Sequence, residues 1–257
     1  MNLGLKDKVI IVTGGARGIG QGIVQTLAAE EAIPVIIGKD EDDNIKALHK
    51  INSKGFQVVA ELTDPAQCKK AVESVVKKYG RVDGLVNNAG VNDGINLENG
   101  SYDAFMSSLH KNLVHYYLIA QHALSELKKS KGPIVNISSK VAETGQGGTS
   151  AYAAANGGRN ALTREWAVEL LKYGIRVNAV IVAECYTPLY EAWIKTVPDP
   201  EKKLQEIRNK IPFEKRMTTA DEIANTVVFL LSERSSHTTG QLIHVDGGYV
   251  HLDRAIS

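Results

Sequence analysis

Apolar residues in this chain fall into short, nearly unbroken runs, separated by longer stretches in which they recur every three or four positions. Lys8-Val-Ile-Ile-Val12 stops at Thr13-Gly14-Gly15. Ile33 to Ile37, Phe56 to Leu62, Val82 to Asn87, Gly132 to Ser138, Ile175 to Ala183 and Gly240 to Val245 repeat the pattern. Such runs predict strands covered on both faces. The stretches between them predict helices over Ile19 to Glu31, Asp40 to Ser53, Asp64 or Pro65 to Tyr79, Tyr102 to Ser130, Ser150 to Tyr173 and Ala220 to Ser232. Asp64-Pro65 is an N-cap followed by a first-turn proline, and Gly174 is a C-terminal stop. Pro188 to Lys210 has helical character broken at Pro198 and Pro200. This alternation predicts an α/β chain with a doubly wound, Rossmann-type fold: a mostly parallel sheet of about seven strands with helices on both faces. No Pro-, Ser- or Gly-rich linker interrupts the 257 residues, so a single domain over 1–257 is expected.

Composition narrows the classes of function. A hydrophobic content of 43% supports a sizeable core. The formal net charge of +1, with acids and bases interspersed, gives no reason to expect nucleic acid or a membrane surface as partner. No stretch approaches the roughly 20 apolar residues of a membrane span, and Met1 to Lys8 carries charge without a long apolar run. The two cysteines, Cys68 and Cys185, exclude a disulfide scaffold and fit a cytoplasmic, reducing location. His110, His115 and His122 share one predicted helix at spacings that miss the i, i+4 pairing of helical ligands, so no metal is expected.

Ligands of doubly wound sheets bind beyond the carboxyl ends of the strands, where Thr13, Asn87 and Ser139 fall. Gly14-Gly15-Ala16-Arg17-Gly18-Ile19-Gly20 lies between the first strand and the first helix. There glycines let the backbone approach a pyrophosphate and the helix N-terminus supplies free N–H groups. Lys39 and then Asp40 follow the second strand. An acid there suits the ribose diol of NAD and a base the 2′-phosphate of NADP; with Arg17 nearby the balance leans to NADP, and both cofactors stay open. Tyr152 stands thirteen residues after Ser139 and four before Asn156. A Ser closing a strand and a Tyr opening a helix can meet over one substrate oxygen, the Tyr as proton donor or acceptor and the Ser as hydrogen-bond partner. Asn156 shares the helical face of Tyr152 but carries no charge.

With these residues assembled, the chain resembles a short-chain dehydrogenase/reductase over nearly its whole length. The matching set is the Gly-rich loop, Asn87-Asn88-Ala89-Gly90, Asn112, Ser139, Tyr152, Arg176-Val-Asn178-Ala and Val245-Asp246-Gly247-Gly248. The resemblance implies an enzyme that moves hydride between NAD(P) and a hydroxyl or carbonyl group. It makes Tyr152 the acid/base, Ser139 the residue that orients the substrate, and Asn112 a residue that positions a water in a proton relay. Asn156 would complete the catalytic set. The implied cofactor contacts are Gly14, Ala16, Arg17, Gly18, Ile19 and Gly20 in the loop, Lys39, Asp40, Glu61 and Leu62 after the next two strands, and Asn88, Ala89 and Gly90 beyond the fourth. Tyr152, Asn156 and Thr187 would complete that set. The family also implies a homotetramer, or at least a dimer, in which the helices at Tyr102–Ser130 and Ser150–Tyr173 pair across a two-fold axis.

Two departures matter. The family has Lys where this chain has Asn156, and usually Pro-Gly where it has Val182-Ala183. Lys140 and Arg159 are the nearest candidate replacements for the missing charge. A narrower resemblance, to sugar dehydrogenases of the L-fucose type, rests on Ser139-Lys140, Gly145 to Ser150, Ala161 to Ala167, Thr187-Pro188-Leu189-Tyr190 and the tail from His237 to Arg254. It implies oxidation of an aldose to a lactone. The expected substrate contacts are Ser139, Gln146, Tyr152, Glu184, Tyr190 and Trp193, with Glu143 and His251 near the pocket and a mobile lid around 188–213. The alternative is a cofactor-binding protein that has lost turnover along with the Lys.

Overall fold

Among the described residues, seven strands run parallel. β1 (Val9–Thr13), β2 (Ile33–Gly38), β3 (Phe56–Val59), β4 (Gly84–Asn87), β5 (Ile134–Ser139), β6 (Val177–Val182) and β7 (Leu242–Val245) lie in the order β3-β2-β1-β4-β5-β6-β7. The sheet is therefore wholly, not mostly, parallel. It is seen in a computed structural model that describes residues 2–253; Arg254, at the end of the tail motif, lies outside the described residues.

The continuous apolar strands follow from burial on both faces. In β1, Val9 and Ile11 enter one core, while Ile10 and Val12 enter the other. The first core is closed by α3 (Pro65–Tyr79), α5 (His115–Ser130) and α6 (Ser150–Glu169), through residues such as Val72, Ile119 and Trp166. The second is closed by α1 (Gly18–Ala29), α2 (Glu41–His49) and α9 (Ala220–Leu231), through Val24, Ala47 and Val227. Among the described residues, no helix is long and apolar enough to cross a membrane.

Several boundaries differ from the sequence reading for local reasons. α2 stops at His49, and Asn52 and Ser53 turn the chain with positive φ. The single helix expected over Tyr102–Ser130 is α4 (Tyr102–Leu109) and α5 joined by a π-helical turn, His110–Val114. After α6, a 3₁₀ turn at Leu171–Tyr173 ends at Gly174, whose φ of 68° only glycine adopts readily. The proline-broken segment resolves into α7 (Pro188–Ile194) and α8 (Pro200–Asn209), each opening on a proline behind a capping side chain, Thr187 or Asp199.

Chain order reverses between β1 and β4: the chain runs outward to β2 and β3 on one side, then onward from β4 on the other. This is the switch point at which open α/β sheets form a ligand crevice. Thr13 and Asn87 end the two strands that border it.

Candidate active site

The loop after β1 is shaped for close backbone approach. Gly14 and Gly18 hold φ of 63° and 53°. A Cβ on Gly20 would lie 2.2 Å from Gly14 O and 2.6 Å from Asn88 Nδ2; one on Gly18 would lie 3.2 Å from Thr187 Cγ2. Asn88 ties the loop to β4: its Nδ2 donates to Thr13 O at 2.9 Å and to Gly14 O at 3.2 Å, and its N–H and that of Ala89 donate to Thr13 Oγ1. Arg17 occupies the N-cap of α1 without a side-chain cap, and the first turn holds no acid. The end N–H groups and the positive pole of α1 are thus free to meet an anion. Ala16 and Ile19 anchor the loop against the second core. These features fit the pyrophosphate of a dinucleotide.

Beside the loop, a groove of about 450 Å³ is lined by Arg17, Gln21, Asp43, Lys46, Lys50 and Pro188. Arg17 is ion-paired with Asp43. Asp40 spends a carboxylate oxygen on capping α2, accepting the Asp43 N–H at 2.9 Å, whereas Lys39 is exposed. After β3, Glu61 accepts the N–H and hydroxyl of Thr63 at 3.1 and 3.0 Å, and Leu62 is buried behind it.

Ser139 closes β5, and its Oγ accepts the Val141 N–H at 3.4 Å. Tyr152, half-buried, lies in the first turn of α6. Asn112 sits in the π turn, fully buried. Its Oδ1 accepts the Val91 N–H at 2.8 Å and its Nδ2 donates to Ser108 O at 3.0 Å. Asn156 is also fully buried: its Nδ2 donates to Tyr152 O at 2.8 Å and its Oδ1 accepts from Arg159 at 3.0 Å. Its carbonyl and one amide hydrogen are committed inside the protein, so Asn156 braces the helix behind Tyr152.

The two candidate cations have different surroundings. Lys140 is buried and ion-paired with Glu184, and its ammonium lies 3.9 Å over the Tyr249 ring. Tyr190 hydrogen-bonds Glu184; burial first, and then this acid, push its hydroxyl well above the ordinary tyrosine range. Tyr190 also meets Trp193 edge-on at 5.1 Å. Trp193 itself is 46% exposed and Gln146 lies exposed on the glycine loop before α6, so neither is enclosed by a pocket wall. Thr187 caps α7 and stands against Gly18, which brings the start of the segment 188–213 to the glycine loop after β1.

Sequence reasoning missed His244. On β7, its Nε2 lies 2.9 Å from Glu143 Oε2 and its ring 4.3 Å from that of His251. It also missed the Glu184 partner of Lys140 and the burial of Arg159. The spacing Tyr152, Asn156, Arg159 was a signal for the last, since positions i, i+4 and i+7 share a helical face.

A family model described as Enoyl-(Acyl carrier protein) reductase matches residues 14–250. The 3-oxoacyl-[acyl-carrier-protein] reductase FabG of Thermotoga maritima is 37% identical, over 96% of this chain and 99% of its own. The L-fucose dehydrogenase of Bos taurus is 35% identical, over 94% and 88%. A crystal structure of the Cj0485 dehydrogenase superposes with a TM-score of 0.96 at 46% identity, covering 100% of this chain and 99% of that one. The chain belongs to the short-chain dehydrogenase/reductase family. As an enzyme of that family it is an NAD(P)-dependent oxidoreductase acting on CH–OH groups.

Proposed function

We propose that the chain oxidises a hydroxyl of a small polyol, foremost the anomeric hydroxyl of an aldose of L-fucose type, and that it favours NADP. The observation that carries this reading is the polar and aromatic cluster beyond β5 and β6: the Lys140–Glu184 ion pair with Tyr190 and Tyr249 against it. Charged groups and phenols match the hydroxyls and faces of a sugar, whereas an acyl chain calls for an apolar wall. The nicotinamide, when bound, supplies the hydride acceptor. Ser139 Oγ holds the reacting oxygen, and the Tyr152 oxygen takes its proton as the carbon gives up hydride. Arg17, Lys39 and the N-terminus of α1 hold the cofactor phosphates. Pro188 to Phe213 covers the site, and exposed Tyr117, Val168 and Leu171 on and beside α5 and α6 serve a homotetramer.

The test is a panel of aldoses with NAD⁺ and NADP⁺ followed at 340 nm, with a 3-oxoacyl thioester and reduced cofactor run alongside. Turnover of an aldose that falls about 10²-fold or more in Tyr152→Phe supports the reading. Turnover of the thioester alone, or of nothing, refutes it. Lys39→Ala should weaken NADP more than NAD; equal losses remove Lys39 from phosphate recognition.

A further inference from the structure

Arg159 is 2% exposed, yet it is met by no carboxylate within ion-pair distance among the described residues. Among the described residues, its guanidinium bonds only neutral oxygens. Nε donates to Asn112 O at 2.6 Å, and Nη1 donates to Ile137 O at 3.2 Å and to Asn156 Oδ1 at 3.0 Å. One face lies 4.3 Å over the Tyr116 ring, and the Tyr152 ring centroid is 6.0 Å away. The fold makes room for this cation at some distance in sequence: a Cβ on Gly90 would come within 2.8 Å of Nη2.

A desolvated charge without a counter-ion is costly, and it favours any neighbour that can turn negative. The neighbours can be taken element by element. On α5, Tyr116 is enclosed and donates its hydroxyl to Ile137 O at 3.0 Å. Burial pushes that hydroxyl far above its ordinary range, so it stays a phenol. His115 is pushed down to about 3 by burial, with Arg159 adding to the effect, so it stays neutral. Before α4, Asp93 is engaged by Ser108 at 2.7 Å and by Lys111 at 3.6 Å. Beyond β5 and β6, Lys140 and Glu184 neutralise each other, and burial together with Glu184 holds the Tyr190 hydroxyl above its ordinary range. What remains is Tyr152, half-buried and on the same face of α6.

We infer that Arg159 is a positioning residue for the proton of Tyr152: its buried guanidinium, aimed by Asn156 and Asn112, supplies the positive charge that stabilises the Tyr152 oxyanion during oxidation. This rests on Tyr152 being the acid/base of the proposed reaction. It also separates the two candidate cations, since the charge of Lys140 is already balanced by Glu184 and that of Arg159 is not.

The experiment compares the pH profile of kcat/KM for aldose oxidation in the parent, Arg159→Lys, Arg159→Gln and Arg159→Met. The guanidinium lies 6.0 Å from the centre of the Tyr152 ring, and a charge within about 4–6 Å moves a titration by about 1–3 units. Both neutral variants should therefore shift the limb that rises with pH upward by about one unit or more, and recover activity at high pH. Arg159→Lys keeps the charge and should shift the limb by less than the roughly one unit expected of the neutral variants. Asn156→Asp pairs the guanidinium without emptying the core; its carboxylate also acts on Tyr152 directly, so an unmoved limb in this variant overturns the inference even where both neutral variants fail to fold. Tyrosinate absorbance at 295 nm, taken as each protein minus its Tyr152→Phe counterpart, reads the same ionisation without turnover. A parent that is inactive on every sugar but shows the shift at 295 nm defeats the sugar reading and leaves this one standing. An unmoved limb and an unmoved 295 nm titration in the folded variants, or a loss equal at every pH, overturn it.

Discussion

Asn156→Lys tests the charge arrangement from the opposite direction. By sequence, this substitution restores the cation typical of the family. In the structure it introduces a second cation beside one already present. Asn156 is fully buried and its Oδ1 accepts from Arg159 Nη1 at 3.0 Å. An ammonium held in that space would face the guanidinium at roughly the 4 Å of a close charge pair. Two unit charges at that distance repel by about 4 kcal/mol at an effective dielectric constant of about 20. Loss of the accepted hydrogen bond from a charged donor adds about 1.5–3 kcal/mol. The sum is comparable to the net stability of a small domain, about 5–15 kcal/mol. Asn156→Lys should therefore destabilise the protein by several kcal/mol and lower activity. Asn156→Lys with Arg159→Leu should recover most of that stability. Urea unfolding followed by the fluorescence of the two tryptophans, at pH 7, gives all four corners of the double-mutant cycle. The coupling should be favourable by about 3 kcal/mol or more, following from the repulsion removed. A single variant within about 1 kcal/mol of the parent, together with coupling below about 1 kcal/mol, would refute the reasoning. The new side chain would then have escaped toward the cleft, or the guanidinium charge would be dissipated in some other way.

Two further outcomes follow from the geometry. Gly20→Ala drives a Cβ into the backbone of Gly14 at 2.2 Å, so cofactor affinity measured by calorimetry should fall at least about tenfold, or about 1.4 kcal/mol; unchanged affinity would show that the loop does not cradle the phosphates. His115 is pushed from its ordinary 6.5 down to about 3 by burial, its Nε2 donating to Lys111 O at 2.9 Å. A depressed folded value means that this contribution is intact above about 6.5 and is lost as pH falls toward 3, at up to about 1.4 kcal/mol per pH unit. Urea midpoints at pH 7.5, 6.0 and 4.5 should therefore fall more steeply for the parent than for His115→Gln, and parallel curves would count against a buried neutral imidazole.

The sheet was legible because strands buried on both faces leave an unmistakable trace: Val9 to Val12 has no polar residue because its alternate side chains enter two different cores. The glycine loop was legible for a similar reason, since Gly18 and Gly20 answer to local backbone geometry. The π turn was not. Apolar residues recur through Tyr102–Ser130 much as in a plain helix, and only the fold shows the extra residue near Asn112, whose buried amide meets Val91 from the preceding loop. The electrostatics of the site were the least legible part. Arginine on a helix ordinarily reads as surface, and Arg159 is buried by residues far away in sequence, Gly90 and Asn112 among them. Lys140 and Glu184 pair across 44 positions and cancel, again without a local trace. Position-by-position comparison with the family therefore registers Asn156 as a lost charge. Three residues further along the same helical face, the structure holds a guanidinium whose partners among the described residues are all neutral, so the departure at Asn156 reads as a cation moved along α6 and turned inward.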